Sequence, residues 1–432
     1  MKRRLPAAIF LVLLSYSVQG LSQEIWRNPP VQLPQNVAEW LHFEVKANPG
    51  SDKNRTTDPI HLEHVDIPAR LLSEDIGIGL RPEVYSSLVY EKDGEKFIRW
   101  IFNPEDTKYR DKIIHFVRAY AQVEPVIERK FVGYLTASRS VIVQNPDNGA
   151  IFSLKTSTNK TGGIWQDKKM TEFAAQVSRA LSDFIASHAP SDHLKSFVAL
   201  TEPYAAIAKE IDASFTVRDY PAFTDRKIRM LPFFTALDEE YGQQLALEMG
   251  SEDPTTCWKE HLFEPWGLAM AEEAAYYGLS PNSAHSQDYI IERDENGKPT
   301  KRIYARDLMD SDVDEMILQA RHGTRVLEIF KRAKELQIWK GKVLMRPIPF
   351  YVIRWPKWIT DNRFIEMMRG GFHEKFISRY KQITGVQDFT SSPYSYELER
   401  YFTHEPNFLN WLKKIRSRDP VTLSCEKVFI EN

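Results

Sequence analysis

The dipeptide Asn296-Gly297 interrupts two β-rich runs and constrains the fold more than any other feature, because it favours a tight hairpin turn. A hairpin centred near Asn296 places His285 opposite Asp307 and Gln287 opposite Ala305. The strand ends farthest from the turn therefore carry imidazole, amide, guanidinium and carboxylate groups, which can hold a phosphorylated ligand and a divalent cation. The alternative is a structural His–Asp hydrogen bond with arginine on the surface. The residues concerned are His285, Gln287, Asp288, Arg306 and Asp307.

A second hairpin is predicted over residues 134–158, with the turn residues QNPDNG centred near Asp147. A symmetric hairpin pairs Arg139 with Lys155 across the strands. Like charges directly opposite each other destabilise a sheet, so a buried pair of this kind requires an anion between them. An exposed face with splayed side chains, or a one-residue bulge, is the alternative. Nearby hydroxyl groups belong to Thr136, Ser138, Ser140 and Ser157.

Helical periods surround these hairpins, and we therefore predict an α+β fold with antiparallel hairpins, surrounding helices and a cleft between two lobes. The periods cover residues 170–189, 254–278 and 311–336, and residues 193–215 also look helical. We place the N-terminal lobe at residues 21–200 and the C-terminal lobe at residues 201–432. A chain of 432 residues is long enough for this division.

The first twenty residues combine a basic start, about ten apolar residues and small residues around Gly20. This pattern predicts a cleaved signal peptide, and hence export to the periplasm or the medium; an uncleaved anchor is the alternative. After cleavage we expect no stable membrane anchor. The two cysteines, Cys257 and Cys425, can form one long-range disulfide only if the fold brings them together.

A net charge of −2 gives no basic surface for nucleic acid, and we expect none to bind. The segment HLEHVDIPAR places His61 and His64 three residues apart, close to Arg70. Two histidines can bind a metal, but no third ligand is evident nearby in the sequence. The segment ARHGTR at residues 320–325 resembles a phosphate-binding signature, yet it lies inside a helical period, which indicates coincidence.

Taken in order, these segments resemble the IucA/IucC-type synthetases of NRPS-independent siderophore biosynthesis, over roughly residues 60–315. The matching segments are HLEHVDIPARLL, TASRS with LKTS, FTVRDYP with Arg218, and CWKEHLFEPWGLAMAEEAAYYGLSPNSAHSQD followed by YARDLMD. The chain departs from the family pattern where Trp165 replaces an arginine, Asp288 replaces an asparagine and Asp310 replaces a glycine. Family members are also longer.

The resemblance implies binding of ATP and Mg²⁺ and conversion of a citrate-like carboxylate to an acyl-adenylate, which then acylates an amine or alcohol. It implies catalytic roles for His285, Arg306 and Asp307, and metal binding by Asp288 and Asp307. It also implies nucleotide binding by Ser138, Arg139, Ser140, Lys155, Ser157 and Gln287, and substrate binding by His61, His64 and Arg70.

Two alternatives to this synthetase remain. One is an exported relative without catalysis that binds a polycarboxylate, a siderophore or another anion. The other is an exported enzyme of an unrelated class, such as a phosphatase that uses residues 321–325. The sequence leaves the oligomeric state open.

Overall fold

A computed structural model describes residues 32–48, 50–52, 54–161, 167–188, 194–281, 286–335 and 356–389. Nine strands form one antiparallel sheet in the order β2-β9-β10-β7-β6-β5-β1-β4-β3, four form a second sheet in the order β11-β13-β14-β8, and β12 pairs with β15. The strands are β1 (Ile60–Pro68), β2 (Ser73–Ile76), β3 (Val89–Lys92), β4 (Glu95–Ile101), β5 (Ile127–Leu135), β6 (Ser140–Gln144), β7 (Ile151–Lys155), β8 (Phe197–Ala199), β9 (Tyr204–Ala208), β10 (Ala213–Arg218), β11 (Arg229–Pro232), β12 (Leu279–Pro281), β13 (Tyr289–Arg293), β14 (Pro299–Ala305) and β15 (Ser311–Val313).

Helices pack around these sheets, and the predicted α+β class is confirmed. Three π-helical turns (Lys259–Phe263, Glu273–Tyr277 and Met367–His373) extend or join helices. The α-helices are α1 (Gln35–Lys46), α2 (Pro82–Leu88), α3 (Lys108–Ala121), α4 (Glu172–Ser187), α5 (Phe233–Ala236), α6 (Tyr241–Glu248), α7 (Pro254–Trp258), α8 (Glu264–Glu272), α9 (Glu315–Ala320), α10 (Thr324–Glu335), α11 (Asp361–Glu366) and α12 (Glu374–Thr384).

The two faces of the nine-stranded sheet cover different cores, because successive side chains of a strand point to opposite faces. Phe152 and Leu154 of β7 pack in a core with residues of α2 and α3. Ile151 packs instead in a core with Trp40 of α1. Lys155 shares the alternation of Ile151 and therefore ends β7 on the face that α1 covers. This face carries the candidate site.

Both predicted hairpins form, and the second turn follows its sequence closely. Gly297 takes a left-handed backbone conformation, with φ 81°, and its N–H donates to the Asp294 carbonyl. The Asp294 carboxylate accepts hydrogen bonds from the backbone N–H groups of Asn296 and Lys298. Local turn chemistry therefore explains why this hairpin was visible in the sequence.

Two helical predictions are wrong in detail. Residues 193–215, which looked helical, contain β8, β9 and β10, because strand pairing with both sheets overrides the helix preference of the alanine-rich run. The helix predicted over residues 311–336 breaks into α9 and α10. His322 takes a left-handed conformation at the break, and the N–H of Gly323 bonds to the Leu318 carbonyl.

The predicted helix end at Gly278 is confirmed. Gly278 adopts φ 64° directly after the π-helical turn, and its N–H donates to the Ala274 carbonyl at 3.0 Å. Cys257 is buried, and its possible partner Cys425 lies outside the described residues.

The division of the chain at residue 200 stays a prediction, and both sheets take strands from both sides of that position. The predicted signal peptide, residues 1–20, lies outside the described residues. Among the residues that are described, no helix has the length and apolar character needed to cross a membrane.

Two adjacent glutamates show how strongly the packing decides the state of a carboxyl group. Glu272 accepts hydrogen bonds from the backbone N–H groups of residues 195–197 and from Arg379, whose Nη2 lies 2.6 Å from Oε1. Glu273 is fully buried, and within the described structure neither of its oxygens has a hydrogen-bond partner. Burial raises the pKa of Glu273 well above its ordinary value.

We predict that Glu273→Gln stabilises the protein at pH 8 and has little effect near pH 4.5. The unfolded chain releases the Glu273 proton as pH rises past its ordinary pKa of 4.5, whereas the folded chain retains it. Stability is therefore lost with rising pH, and the substitution removes this loss. Urea unfolding at both pH values measures the difference. The neighbouring substitution, Glu272→Gln, should destabilise the protein. If both substitutions changed the free energy of unfolding at pH 8 in the same direction, the assignment of Glu273 as a buried, protonated carboxyl group would be contradicted.

Candidate functional site

The register of the first hairpin differs from the predicted one. Ser140, not Arg139, pairs with Lys155. The run predicted as one strand is interrupted at residues 136–139, where Thr136 Oγ1 donates to the Ser140 carbonyl at 2.6 Å. Arg139 lies in this interruption, and its Nη1 donates to the carbonyl of Lys169. The predicted Arg139–Lys155 pair is therefore wrong.

The register of the second hairpin is also shifted. Tyr289, not Gln287, pairs with Ala305, because a bulge between Ile291 and Arg293 displaces the pairing that the turn sets. The Arg306 N–H bonds to the carbonyl of Asp288 at 2.8 Å, which extends the shifted register. The predicted opposition of His285 and Asp307 does not fit this register, and His285 lies outside the described residues.

Four charged side chains meet on one face of the antiparallel strands β7 and β10, and we call them the charge quartet: Lys155, Glu202, Arg218 and Asp307. Lys155 and Arg218 end the adjacent strands β7 and β10. Asp307 Oδ1 lies 2.6 Å from Lys155 Nζ and 2.6 Å from Arg218 Nη2. Glu202 Oε1 lies 3.6 Å from Lys155 Nζ and also pairs with Arg218 Nη2. Each cation thus contacts both carboxylates.

The cations of the quartet are buried, whereas its Asp307 carboxylate is partly exposed to solvent. The Lys155 side chain is 3% exposed, whereas that of Asp307 is 33% exposed. Burial by itself would raise the pKa of Glu202, but Lys155 and Arg218 outweigh it and hold that pKa at about 2. Burial opposes ionisation of Asp307 too, yet the same two cations keep its pKa well below the ordinary value. At neutral pH the quartet therefore carries two positive and two negative charges.

Arg306 anchors the second hairpin to α1. Its Nη2 lies 2.8 Å from Oε1 of the buried Glu44, and its Nε donates to the Gln287 carbonyl at 2.8 Å. The Gln287 side chain also donates to Glu44 Oε1, at 3.1 Å, and Arg306 Nη1 donates to the Tyr220 hydroxyl at 3.3 Å. These contacts hold Asp307, the next residue, against β7 and β10.

The other predicted nucleotide-site residues lie close to these strands and have structural contacts. Ser157 is buried, and its Oγ accepts the N–H of Met170 at 2.8 Å. Ser138 donates its N–H to Thr136 Oγ1 at 3.4 Å. Asp288 is buried beside Arg306. Nucleotide binding by these residues stays a prediction. Trp165, which stands where the family resemblance leads one to expect an arginine, lies outside the described residues.

The structure separates the predicted substrate residues. His61 lines a cavity of about 450 Å³ together with Glu63 and Arg110. His64 is fully buried, with Nε2 3.7 Å from one oxygen of Asp66 and 3.7 Å from one of Glu128. Arg70 lies on the surface and pairs with Glu95 at 3.3 Å. A common substrate site formed by these three residues is not supported.

Burial is the main cause that lowers the pKa of His64, and the carboxylates of Asp66 and Glu128 counteract it in part. The imidazole is therefore neutral at pH 7. This state leaves a ring nitrogen with a lone pair, available to an electrophile or a donor.

Sequence reasoning missed Glu202 and Glu44, and it noted Arg218 only through the family resemblance. Glu44 left one trace in the sequence, because it lies on the apolar face of α1 with Trp40, Leu41 and Val45. A charge at such a position predicts a buried partner. Glu202 sits in a loop before β9 and left no comparable signal.

No family model matches the chain, and no curated protein matches its sequence. Solved structures, in contrast, superpose on this chain. The petrobactin biosynthesis protein AsbB of Bacillus anthracis str. Sterne superposes with a TM-score of 0.54 at 13% identity, over 90% of this chain and 68% of that one. The ATP-bound aerobactin synthetase IucA of Klebsiella pneumoniae gives 0.52 at 11% identity, over 76% of this chain and 64% of that one.

The aerobactin synthetase IucC of the same organism gives a TM-score of 0.49 at 13% identity, over 76% of this chain and 64% of that one. The superpositions on AsbB and IucA show that this chain has the fold of siderophore synthetases, which confirms the predicted resemblance at the level of the fold. The chain spans about two thirds of the length of these proteins.

We predict that Glu202→Gln destabilises the folded state by about 3–5 kcal/mol at pH 7, since it leaves Lys155 and Arg218 buried with one carboxylate fewer. The low pKa of Glu202 makes this contribution present above its ordinary value of 4.5 and lost as pH falls towards about 2. The gap between variant and unmodified protein should therefore shrink on acidification. Urea unfolding followed by tryptophan fluorescence measures it.

Glu124→Gln is the control for this experiment, because Glu124 forms an exposed pair with Arg118 and its loss should change little. Equal stability of the Glu202→Gln variant and the unmodified protein at pH 7 would mean that the charge of Glu202 contributes nothing to folding.

Proposed function

We propose that the protein is an ATP-dependent, synthetase-like enzyme that activates a citrate-like carboxylic acid for amide or ester formation with an amine or alcohol, as in siderophore biosynthesis. One observation carries this proposal. Two buried cations, Lys155 and Arg218, end adjacent strands, and their most exposed partner is the carboxylate of Asp307. The shared fold with a synthetase whose structure contains ATP supports this choice.

Phosphate can take the place of the Asp307 carboxylate beside these cations. Lys155 and Arg218 are buried, so they require an anion at all times, and exchange of one anion for another keeps the buried charges balanced. Lysine and arginine both form charge-assisted hydrogen bonds to phosphate oxygens. Asp307 is a third exposed and can leave its place towards solvent, whereas Glu202 is enclosed.

Carboxylates next to this position suit a magnesium ion that accompanies a nucleotide. Mg²⁺ in such sites is held by one or two carboxylates together with substrate phosphates. Asp307, once released from the two cations, and the neighbouring Asp288 are the residues that would hold it. The bound nucleotide would supply the electrophilic phosphorus that converts a carboxylate to an acyl-adenylate.

The chain's own residues would orient the two reactants. Arg306 fixes the backbone on which Asp307 lies, through its bonds to Glu44 and Gln287. Lys155 and Arg218 would hold phosphate charge as it develops during transfer, which is the main electrostatic requirement of such reactions.

A second candidate is an exported binding protein without catalysis, whose ligand is a polycarboxylate or a siderophore. The specific observation in its favour is that a carboxylate, that of Asp307, already occupies the anion position beside Lys155 and Arg218. A ligand carboxylate can replace it one for one. The predicted export signal and Trp165 in place of an arginine also favour this candidate.

We predict that the purified chain binds Mg-ATP in calorimetry and that Lys155→Met weakens this binding at least about tenfold, a loss of roughly 1.4 kcal/mol or more. Asp307→Asn should strengthen the binding of tripolyphosphate in the absence of Mg²⁺, because the substitution removes the competing anion and leaves both cations in place. Weaker tripolyphosphate binding by Asp307→Asn would contradict the exchange of anions.

Arg70→Ala is the matched control, since Arg70 lies on the surface and should not affect either ligand. An assay in which the protein is incubated with citrate, ATP and hydroxylamine separates the two candidates. Release of pyrophosphate is the measurement. Release of pyrophosphate supports the synthetase. Citrate binding without Mg-ATP binding supports the binding protein. If the unmodified chain binds neither citrate nor Mg-ATP, both candidates are wrong.

A further inference from the structure

We propose that His64, Asp66 and Glu128 form a binding site for a divalent transition-metal ion, separate from the charge quartet. The three residues lie on adjacent strands of the nine-stranded sheet. His64 and Asp66 belong to β1, and Glu128 of β5 pairs with His64 in register. The sequence showed two histidines without a third ligand; the fold supplies carboxylates in place of the second histidine.

The ligand atoms are already grouped at nearly the spacing that a metal requires. His64 Nε2 lies 3.7 Å from Asp66 Oδ1 and 3.7 Å from Glu128 Oε2, and all three ligand atoms lie within 4.8 Å of one another. Tetrahedral bonds of about 2.0–2.1 Å separate ligand atoms by roughly 3.3 Å. Side-chain movements of a few tenths of an ångström would bring His64 to this distance from each carboxylate, and the two carboxylate oxygens, within 4.8 Å of each other, would approach by rotation of the partly exposed Glu128 side chain.

These groups lack other partners. His64 is fully buried, and throughout the described part of the chain neither ring nitrogen makes a hydrogen bond. Asp66 Oδ1 is buried and also has no hydrogen-bond partner there. Since buried polar groups are nearly always satisfied, an unpartnered imidazole directed at two carboxylates indicates that a ligand belongs between them.

Two cationic side chains, those of Lys130 and of Arg99, which lies opposite Asp66 in strand register, are near the site but have other contacts. Lys130 pairs with Asp147 at 2.7 Å, and the Arg99 guanidinium lies 4.2 Å from the centre of the Tyr90 ring. Among the described residues, no lysine or arginine forms an ion pair with Asp66 or Glu128. A cation would therefore gain from both carboxylates.

The surroundings orient one ligand and leave a route to the site. The Tyr90 hydroxyl donates to Asp66 Oδ2, which leaves Oδ1 directed at His64. Outer contacts of this kind are usual around metal ligands. The Glu128 side chain is 55% exposed, so an ion can enter from solvent along it.

The donor set selects the class of ion. One imidazole nitrogen and two carboxylate oxygens suit Zn²⁺, Mn²⁺ and similar divalent ions, whereas Ca²⁺ prefers oxygen ligands alone and Cu⁺ prefers sulfur. Three protein ligands leave at least one coordination position for water or an anionic ligand.

The test uses the untagged full chain, treated with a chelator and titrated with Zn²⁺ by calorimetry. We expect one ion per chain at this site, and at least about a tenfold weaker affinity in both Glu128→Gln and His64→Gln. Co²⁺ in place of Zn²⁺ should give visible absorption bands of a site with fewer than six ligands, and these bands should vanish in both variants.

His61→Gln is the matched control, because His61 lies on the same strand but lines another cavity, and its binding should equal that of the unmodified chain. Glu128 is largely exposed, so Glu128→Gln tests the site even if His64→Gln fails to fold. The proposal is overturned if the unmodified chain binds no Zn²⁺, or if Glu128→Gln binds it with unchanged affinity and stoichiometry.

Discussion

The contact of the Asp307 carboxylate with Lys155 and Arg218 joins the two main sheets at the charge quartet. Asp307 follows β14 of the four-stranded sheet, whereas both cations end strands of the nine-stranded sheet. Because the cations are buried, each must remain close to an anion at this junction. Arg306 and Glu44 fix α1 against the same junction.

Local signals in the sequence identified elements but not their registers. The turns at residues 144–149 and 294–298, the helix that ends at Gly278 and the helical period of α4 were all visible. The registers depended on two irregularities that no count from a turn can supply. Thr136 closes a local loop that removes Arg139 from its strand, and a bulge before Arg293 displaces every pair beyond it.

The candidate site was predictable only as far as its residues lie on regular hairpins. Lys155 and Asp307 were found because each sits near a strand end at a countable distance from a turn. Glu202 and Glu44 were missed because tertiary contacts alone give them partners. Glu272 and Glu273 make the same point, since these adjacent residues of one type have opposite environments that depend entirely on what packs against them.

The distances along the chain between the partners of these buried ion pairs bear on how the protein folds. Lys155 and Asp307 are 152 residues apart, and Arg306 and Glu44 are 262 apart. Contacts of such long range form late, after the entropy of closing large loops has been overcome. Until β14 is in place, Lys155 and Arg218 have the Glu202 carboxylate as a partner but lack that of Asp307. The quartet thus acquires equal numbers of positive and negative charges only when this long-range pairing is made, so a chain truncated before residue 307 would keep two buried cations with a single carboxylate.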